Sequence, residues 1–314
     1  MKTANPTVVA VLGSLNVDWV AAVSRLPAAG ETVSAIGLRK LHGGKGANQA
    51  MAAARAGARV RFLGCVGGDA DGAAYRSRLE GAGIDTTGLV TVKRSLTGTA
   101  LIGVDAGGEN LIMVAPEANG KVSSTQIRRH RTLIESAGVL LMQFEVPEAA
   151  VLEAGRIANR ARVPVVINPS PFSETFPWGR IRIDCVIANE TEAFRLFGMR
   201  AGSIRRSKGR WTSAMNARGI DSIVLTRGSA STWHLTACGG LTEVATRAVR
   251  PVDTVGAGDA FAGAYVAFRT AGESLVRSLQ AGNCCGALAT LKAGAQEALP
   301  TRQELLRAMQ SPAG

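Results

Sequence analysis

Aromatic side chains are scarce in this chain, with 8 Phe, 4 Trp and 2 Tyr among 314 residues. A site that grips a nucleobase between aromatic faces has little to work with. Metal-binding and redox side chains are equally thin. Three His (His42, His130, His234) and five Cys (Cys65, Cys185, Cys238, Cys284, Cys285) form no CxxC pair and no zinc-ligand spacing. Neither a disulfide framework nor a His/Cys metal centre is therefore expected. No apolar run approaches the ~18 residues of a membrane span, so no membrane partner is expected. The opening MKTANPTVVA lacks the basic start and cleavage site of a secretory signal, and the final SPAG is no targeting address. A cytoplasmic protein is the expectation.

Negative charge is also short, 24 Asp and Glu against 36 Lys and Arg, for a net charge of +12. That excess favours anionic partners. The basic residues are spread along the chain except at Arg128, Arg129 and Arg131 and at Arg205, Arg206, Lys208 and Arg210. Without a recognition motif both clusters read as solvated surface, and no specific nucleic-acid partner is expected. With 46% hydrophobic and 19% charged residues the chain is not disordered, and its 37 glycines follow no triplet period. Its length suits one large domain, residues 1–314, with small appendages.

Short apolar runs alternate with Ala-rich stretches of helical spacing, the pattern of an α/β fold: a mostly parallel sheet with crossover helices on both faces. Buried strands are expected at Val8–Leu12, Val60–Val66, Val139–Phe144, Val163–Asn168, Cys185–Ala188 and Ile223–Thr226. Helices are expected at Ala47–Ala56, Gly72–Ala82, Glu148–Ala161, Glu190–Phe197 and Thr212–Arg218. Two segments break the rhythm. Residues 19–41 read as extended pieces around turn residues, and Thr99–Val104 with Asn110–Ala115 reads as a hairpin across Asp105-Ala-Gly-Gly-Glu109. Strands without covering helices imply a small projecting β-sheet at about 19–41 and 98–116, either a lid over a site or a dimer contact.

Five pieces can carry chemistry. Asp253-Thr-Val-Gly-Ala-Gly-Asp259 stands directly before a helical stretch, so Gly256, Ala257 and Gly258 would point free N–H groups along a favourable dipole. That is an anion hole. Asp259 beside it would be repelled by a phosphate unless it accepts a proton from a hydroxyl attacking that phosphate; a plain tight turn is the alternative. His42-Gly-Gly-Lys-Gly-Ala-Asn48 opens a second helix, with Gly43, Gly44 and Gly46 for close approach and Lys45 and Asn48 as cation and amide. It is not the phosphate loop GxxxxGK[ST], and neither GxGxxG nor protein-kinase elements occur.

Asn16 and Asp18, two residues apart after the first strand, share a face in extended chain and suit the vicinal hydroxyls of a small polyol, though turn chemistry also explains them. Asn189-Glu-Thr-Glu192 offers hard oxygens that could hold Mg²⁺ near a nucleotide's phosphates, or else a helix-capping pair. Thr226-Arg-Gly-Ser229 follows a strand and could place backbone donors near phosphate or be a simple turn.

Taken together and in order, these pieces resemble the PfkB family of carbohydrate kinases, most closely its ribokinase branch. The resemblance runs from Val8 to about Pro300 and rests chiefly on Gly43-Gly-Lys-Gly-Ala-Asn48 and Asp253-Thr-Val-Gly-Ala-Gly-Asp259, with Met142-Gln-Phe-Glu145, Asn168-Pro-Ser-Pro171 and Asn189-Glu-Thr-Glu192 between them. It implies ATP-dependent phosphorylation of the primary hydroxyl of D-ribose, with fructose, deoxyribose, 2-keto-3-deoxygluconate and nucleosides as other acceptors of the family. A protein that binds sugar without turnover, or binds nucleic acid, is the reading from a different class.

Asp259 then resembles the catalytic base, and Gly256, Ala257 and Gly258 the anion hole. Asn16, Asp18, Gly43, Gly44, Lys45, Asn48 and Glu145 match sugar contacts, with Ala100 and Ile112 as apolar lid contacts. Asn189 and Glu192 match the motif tied to Mg²⁺ and phosphate, and Thr226, Gly228 and Asn283 would lie along ATP. The family also implies a monovalent cation, K⁺, held by Asp253, the carbonyl of Val255 and the segment with Ala289, Lys292 and Gly294. Two departures stand out: Ala298 occupies a position where a serine is usual, which puts potassium activation in doubt, and Ser231 one where a glycine is usual. A homodimer through the lid is expected.

Overall fold

The computed structural model describes residues 8–310. The polar start and the SPAG end lie outside the described residues. In chain order the first strands are β1 (Val8–Leu12), β2 (Asn16–Val23) and β3 (Ala35–Gly43), followed by α1 (Lys45–Arg55), β4 (Arg59–Gly67), α2 (Ala70–Gly81) and β5 (Asp85–Val92). The hairpin strands β6 (Gly98–Val104) and β7 (Asn110–Ala115) precede α3 (Ser124–Arg129), α4 (Arg131–Glu135), β8 (Val139–Met142), α5 (Glu148–Ala161) and β9 (Val165–Ile167). The chain continues through β10 (Cys185–Asn189), α6 (Glu190–Phe197), α7 (Lys208–Asn216), β11 (Ser222–Thr226), β12 (Thr232–Thr236) and β13 (Leu241–Val244). It ends in α8 (Ala257–Thr270), α9 (Leu275–Ala289) and α10 (Arg302–Gln310).

Nine strands form one sheet in the order β13-β12-β11-β10-β9-β8-β1-β4-β5, parallel except where β12 and β13 run antiparallel at one edge. The central strand β1 shows why: Val9 and Val11 pack under α1, α8 and α9, while Val8, Ala10 and Leu12 face the layer that holds α5 and α7. A strand apolar on both faces can only be buried by helices on both sides. Its carboxyl end, like those of β8 and β10, opens toward the segments carrying the polar motifs, the usual place for a ligand in such a sheet.

The second sheet has the order β3-β2-β6-β7, with β2 and β6 parallel and both outer pairs antiparallel. Its strands run from Asn16 to Gly43 and from Gly98 to Ala115, so the projecting sheet begins earlier than the expected 19 and includes the Asn16/Asp18 pair. The hairpin loop is the expected Asp105–Glu109.

Several boundaries differ from the sequence pattern. The strand expected at Val139–Phe144 stops at Met142, and the one expected at Val163–Asn168 spans only Val165–Ile167: Asn168 lines the central cavity, while at the other end the Val163 N–H is tied to the Ala158 carbonyl of α5. The helix expected at Thr212–Arg218 is α7, set back to Lys208–Asn216, where Trp211 and Met215 sit one turn apart and bury completely. Gly219, with φ 67, ends that segment.

One contact fixes the site's geometry before any ligand is considered. Helices α1 and α8 cross so closely that a Cβ on Gly263 would lie 2.4 Å from the Gln49 carbonyl oxygen and 2.5 Å from the Ala52 Cβ. Only glycine permits that approach, and it brings the start of α1 against the start of α8.

Candidate active site

Backbone N–H groups gather at the start of α8, where that of Ala257 donates to the Thr254 carbonyl at 3.3 Å. Gly256 caps the helix at φ 76 and ψ 0, a left-handed conformation, and a Cβ there would come within 2.8 Å of the Ala295 Cβ. Both constraints select glycine. Gly258 has open space above its Cα and lines two adjoining cavities. Asp259, on the first turn, is buried, and its carboxylate accepts Asn48 Nδ2 at 3.1 Å and Gln49 Nε2 at 2.9 Å.

Helix α1 has no side-chain cap, so its first N–H groups are satisfied from outside. The Lys45 N–H donates to Glu145 Oε2 at 3.0 Å, the Ala47 N–H donates to the Ser14 carbonyl at 2.9 Å, and the Ser14 hydroxyl donates to the same Glu145 oxygen. Glu145 thus ties the end of β1 to the start of α1. Lys45 is half-buried and its pKa is raised, first by Asp259 and then, against the cost of burial, by Glu145 and Glu192. A half-buried cation near carboxylates suits a negatively charged guest.

Three cavities meet at Thr254. The central one, about 230 Å³, is lined by Lys45, Asn168, Asn189, Glu192, Thr226, Gly256, Gly258 and Asp259. An outer one of about 280 Å³ is lined by Thr226, Gly228, Thr232, Phe261, Asn283 and Thr290 among others. The third, about 450 Å³, lies under the small sheet, between Asp18, Leu41, His42, Ile102 and Ile112 on one side and 251–255 with 293–295 on the other. Asn189, Glu192, Thr226, Gly228 and Asn283 therefore line one groove that passes Asp259.

The capping alternative at Asn189 is realised: its side chain accepts the Glu192 N–H at 2.8 Å and Glu192 Oε2 accepts the Asn189 N–H at 3.0 Å. Both residues still line the central cavity. Among the described residues no cluster of three His, Cys, Asp or Glu is close enough to enclose a metal ion. A divalent ion here would rest on one or two of these oxygens, on water and on its anionic guest, the manner of Mg²⁺.

Asn16 and Asp18 lie on one face of β2, as extended spacing requires. Asn16 is buried, and its Oδ1 accepts Asn119 Nδ2 at 2.8 Å. Burial, then the charges of Glu145 and Glu297, push the Asp18 carboxyl up to about 7. Ala100 pairs in register with Asp18 and is buried, whereas Ile112 is 52% exposed and lines the cleft under the sheet.

Asp253 joins two loops: Oδ1 accepts the Val255 N–H at 3.0 Å and Oδ2 the Gly294 N–H at 2.9 Å. Ala289 is buried at the end of α9, Lys292 is exposed, and Ala298 is 2% exposed with no hydroxyl to offer a cation. Ser231 closes the β11–β12 turn, accepting from Arg227 and donating to Glu243. Three residues that sequence reading did not single out belong to the site's frame: Gln49, Asn119 and Gln296, all buried. The signal was available, since an amide inside an Ala-rich helix buries only when something takes its hydrogen bonds.

The class is set by comparison. Residues 6–302 match the pfkB family carbohydrate kinase model, and the chain belongs to that family. It is 36% identical over 296 residues to the ribokinase of Haemophilus influenzae, covering 94% of this chain and 96% of that protein. It is 33% identical over 308 residues to the ribokinase of Schizosaccharomyces pombe, covering 95% and 96%. The solved structure of Arabidopsis thaliana ribokinase complexed with ribose and ATP superposes with a TM-score of 0.90 at 27% identity, over 98% of this chain and 99% of that one. The expected ribokinase-like fold is the one observed.

Proposed function

We propose that this carbohydrate kinase transfers the γ-phosphoryl group of ATP to the primary 5-hydroxyl of D-ribose, giving ribose 5-phosphate and ADP. The observation that carries the reading is the groove of three cavities joined at Thr254 with Asp259 at its middle. An acceptor under the small sheet and a donor in the outer cavity would meet at one carboxylate and one helix N-terminus. The names of the relatives point to the same reaction.

In this reading the sugar hydroxyls contact Asn16, Asp18, Gly43, Gly44, Lys45, Asn48 and Glu145, with Ala100 and Ile112 on the lid side. Asp259 takes the proton of the attacking hydroxyl, whose oxygen bonds to the γ-phosphorus as the bond to the ADP oxygen breaks. The N–H groups of Gly256, Ala257 and Gly258 and the Lys45 ammonium stabilise the charge on the transferring phosphoryl group. Thr226, Gly228 and Asn283 lie along ATP.

Asn189 and Glu192 would hold Mg²⁺, whose chemistry is to neutralise phosphate charge. Asp253, the Val255 carbonyl, Ala289, Lys292 and Gly294 would surround K⁺, one hydroxyl short at Ala298. The chain acts as one kinase unit whose small sheet closes over the sugar, excluding water from the reacting phosphoryl group. Its five free thiols fit a reducing, cytoplasmic compartment.

The test is ADP release with Mg-ATP and D-ribose, deoxyribose, fructose, adenosine or no acceptor, in potassium or sodium, for wild type and Asp259→Asn. Ribose-dependent turnover that falls at least a thousandfold in Asp259→Asn is expected. Turnover on none of the acceptors, or an undiminished Asp259→Asn, overturns the reading.

A further inference from the structure

Asp259 is held by two buried amides, and each of these is held by others. The second proton of Gln49 Nε2 goes to Asn168 Oδ1 at 3.1 Å, and Asn168 Nδ2 donates to the Ile187 carbonyl at 2.9 Å. Gln49 Oε1 accepts from Gln143 Nε2. On the other side Asn48 Oδ1 accepts Gln296 Nε2 at 3.1 Å, whose second proton goes to the Tyr75 hydroxyl at 2.6 Å, while Gln296 Oε1 accepts Arg78 Nε at 3.0 Å.

The polarity of this chain is forced. Turning the Gln49 amide over would aim its carbonyl oxygen at both the carboxylate and Asn168 Oδ1, acceptor against acceptor, in a place where Gln49 is 0% exposed and water cannot repair the loss. Gln49 must therefore present its NH₂ to Asp259. With one amide donor on each oxygen, the carboxylate cannot rotate without breaking both bonds. Gln49 itself is fully buried and lines none of the three cavities, so it is placed to act through Asp259 rather than on a substrate.

We infer that Gln49 is a positioning residue for phosphoryl transfer: its amide fixes the rotation of the Asp259 carboxylate so that the base meets the acceptor hydroxyl in line with the phosphoryl group. The inference rests on the proposed reading of Asp259 as base. Misplacement of a reacting group by ~1 Å can cost ~100-fold. Gln49→Met keeps the volume and removes the donor; kcat is expected to fall 10- to 100-fold, with KM for ribose and ATP within twofold of wild type.

A merely structural role would lower activity whether or not the base is present, so the decisive experiment is a double-mutant cycle with Asp259→Ala, read by single-turnover phosphoryl transfer at high enzyme concentration. In the Asp259→Ala background Gln49→Met should cost less than twofold further. Equal losses in both backgrounds, a raised KM with unchanged kcat, or full activity of Gln49→Met would each overturn the inference.

Gln143→Met provides the second variant. It removes the donor to Gln49 Oε1 and deletes a buried carbonyl oxygen that has no hydrogen-bond partner among the described residues, so the fold should bear it. A several-fold loss of kcat, absent in the Asp259→Ala background, is expected; unchanged kcat counts against the inference. A wild type without turnover on any acceptor sinks the kinase reading instead, whereas an active wild type with an indifferent Gln49 sinks this inference alone.

Discussion

Glu297, on the loop after α9, reaches His42 on β3, Oε1 to Nδ1 at 3.6 Å, and meets Arg78 at 3.0 Å on the same oxygen. Burial opposes its ionisation, but His42 and Arg78 outweigh that and hold Glu297 below the usual carboxylate range. An ionised Glu297 in turn acts on Asp18, whose carboxyl burial and the charges of Glu145 and Glu297 raise from 3.8 to about 7. The folded protein thus binds this proton more tightly than the unfolded chain. Stability contributed at Asp18 is present at low pH and is lost as pH rises from about 4 through about 7.

At 1.36 kcal/mol per pKa unit the ceiling of this loss is roughly 4 kcal/mol. Without sugar, Asp18→Asn should therefore melt higher than wild type at pH 8 and nearly level with it at pH 4.5. Urea melts of both proteins across that range give the check. A stability difference that does not grow with pH would mean that Asp18 ionises normally in the fold.

Gly258 offers a substitution whose effects on folding and activity should run in opposite directions. It lies inside α8, where a methyl group meets nothing within 4 Å, so Gly258→Ala should stabilise the helix by ~0.5–1 kcal/mol. That methyl group would stand at the junction of the central and outer cavities, where an anionic guest must approach the backbone. A melting temperature equal to or above wild type, together with at least a tenfold loss of kcat/KM for ATP, is the expected pair. Preserved ATP kinetics would place the phosphates elsewhere.

How much of this was legible in the sequence follows from what each residue type betrays. Glu148–Ala161 and Glu190–Phe197 are helices over the expected spans, since amphipathic spacing and an Asn189/Glu192 cap are local facts. The start of α8 at Gly256 with Asp259 in its first turn was legible because glycines and a carboxylate at a helix start are unusual company. Strands β5, β12 and β13 escaped, β12 and β13 being short and partly polar and β5 interrupted by Gly88, so that their pairing partners define them. Gln49, Gln143 and Gln296 escaped for a related reason: the partners that hold these buried amides lie far along the chain, and only Gln49, inside an Ala-rich helix, carried a local hint.

The small sheet leaves an apolar face unaccounted for. Asp18, Val20, Leu41, Ile102 and Ile112 point into the cleft, so by strand alternation Trp19, Leu38, Leu101, Leu111 and Met113 share the opposite face. Leu38 is 62%, Leu101 49%, Leu111 43% and Met113 56% exposed. A contiguous apolar surface of this kind on a projecting sheet is what a second copy of the chain would cover, isologously about a two-fold axis. Leu38→Glu with Met113→Glu places charge on that face without touching the cleft lining, so the fold should survive while the dimer does not. Light scattering behind size-exclusion chromatography should give twice the 32.5 kDa chain mass for wild type and the single mass for the variant. Because the same sheet closes the cleft, loss of the partner should also raise KM for ribose several-fold and leave KM for ATP unchanged. A wild type that elutes as a monomer at micromolar concentration, or a variant that remains dimeric, would remove this face as the interface.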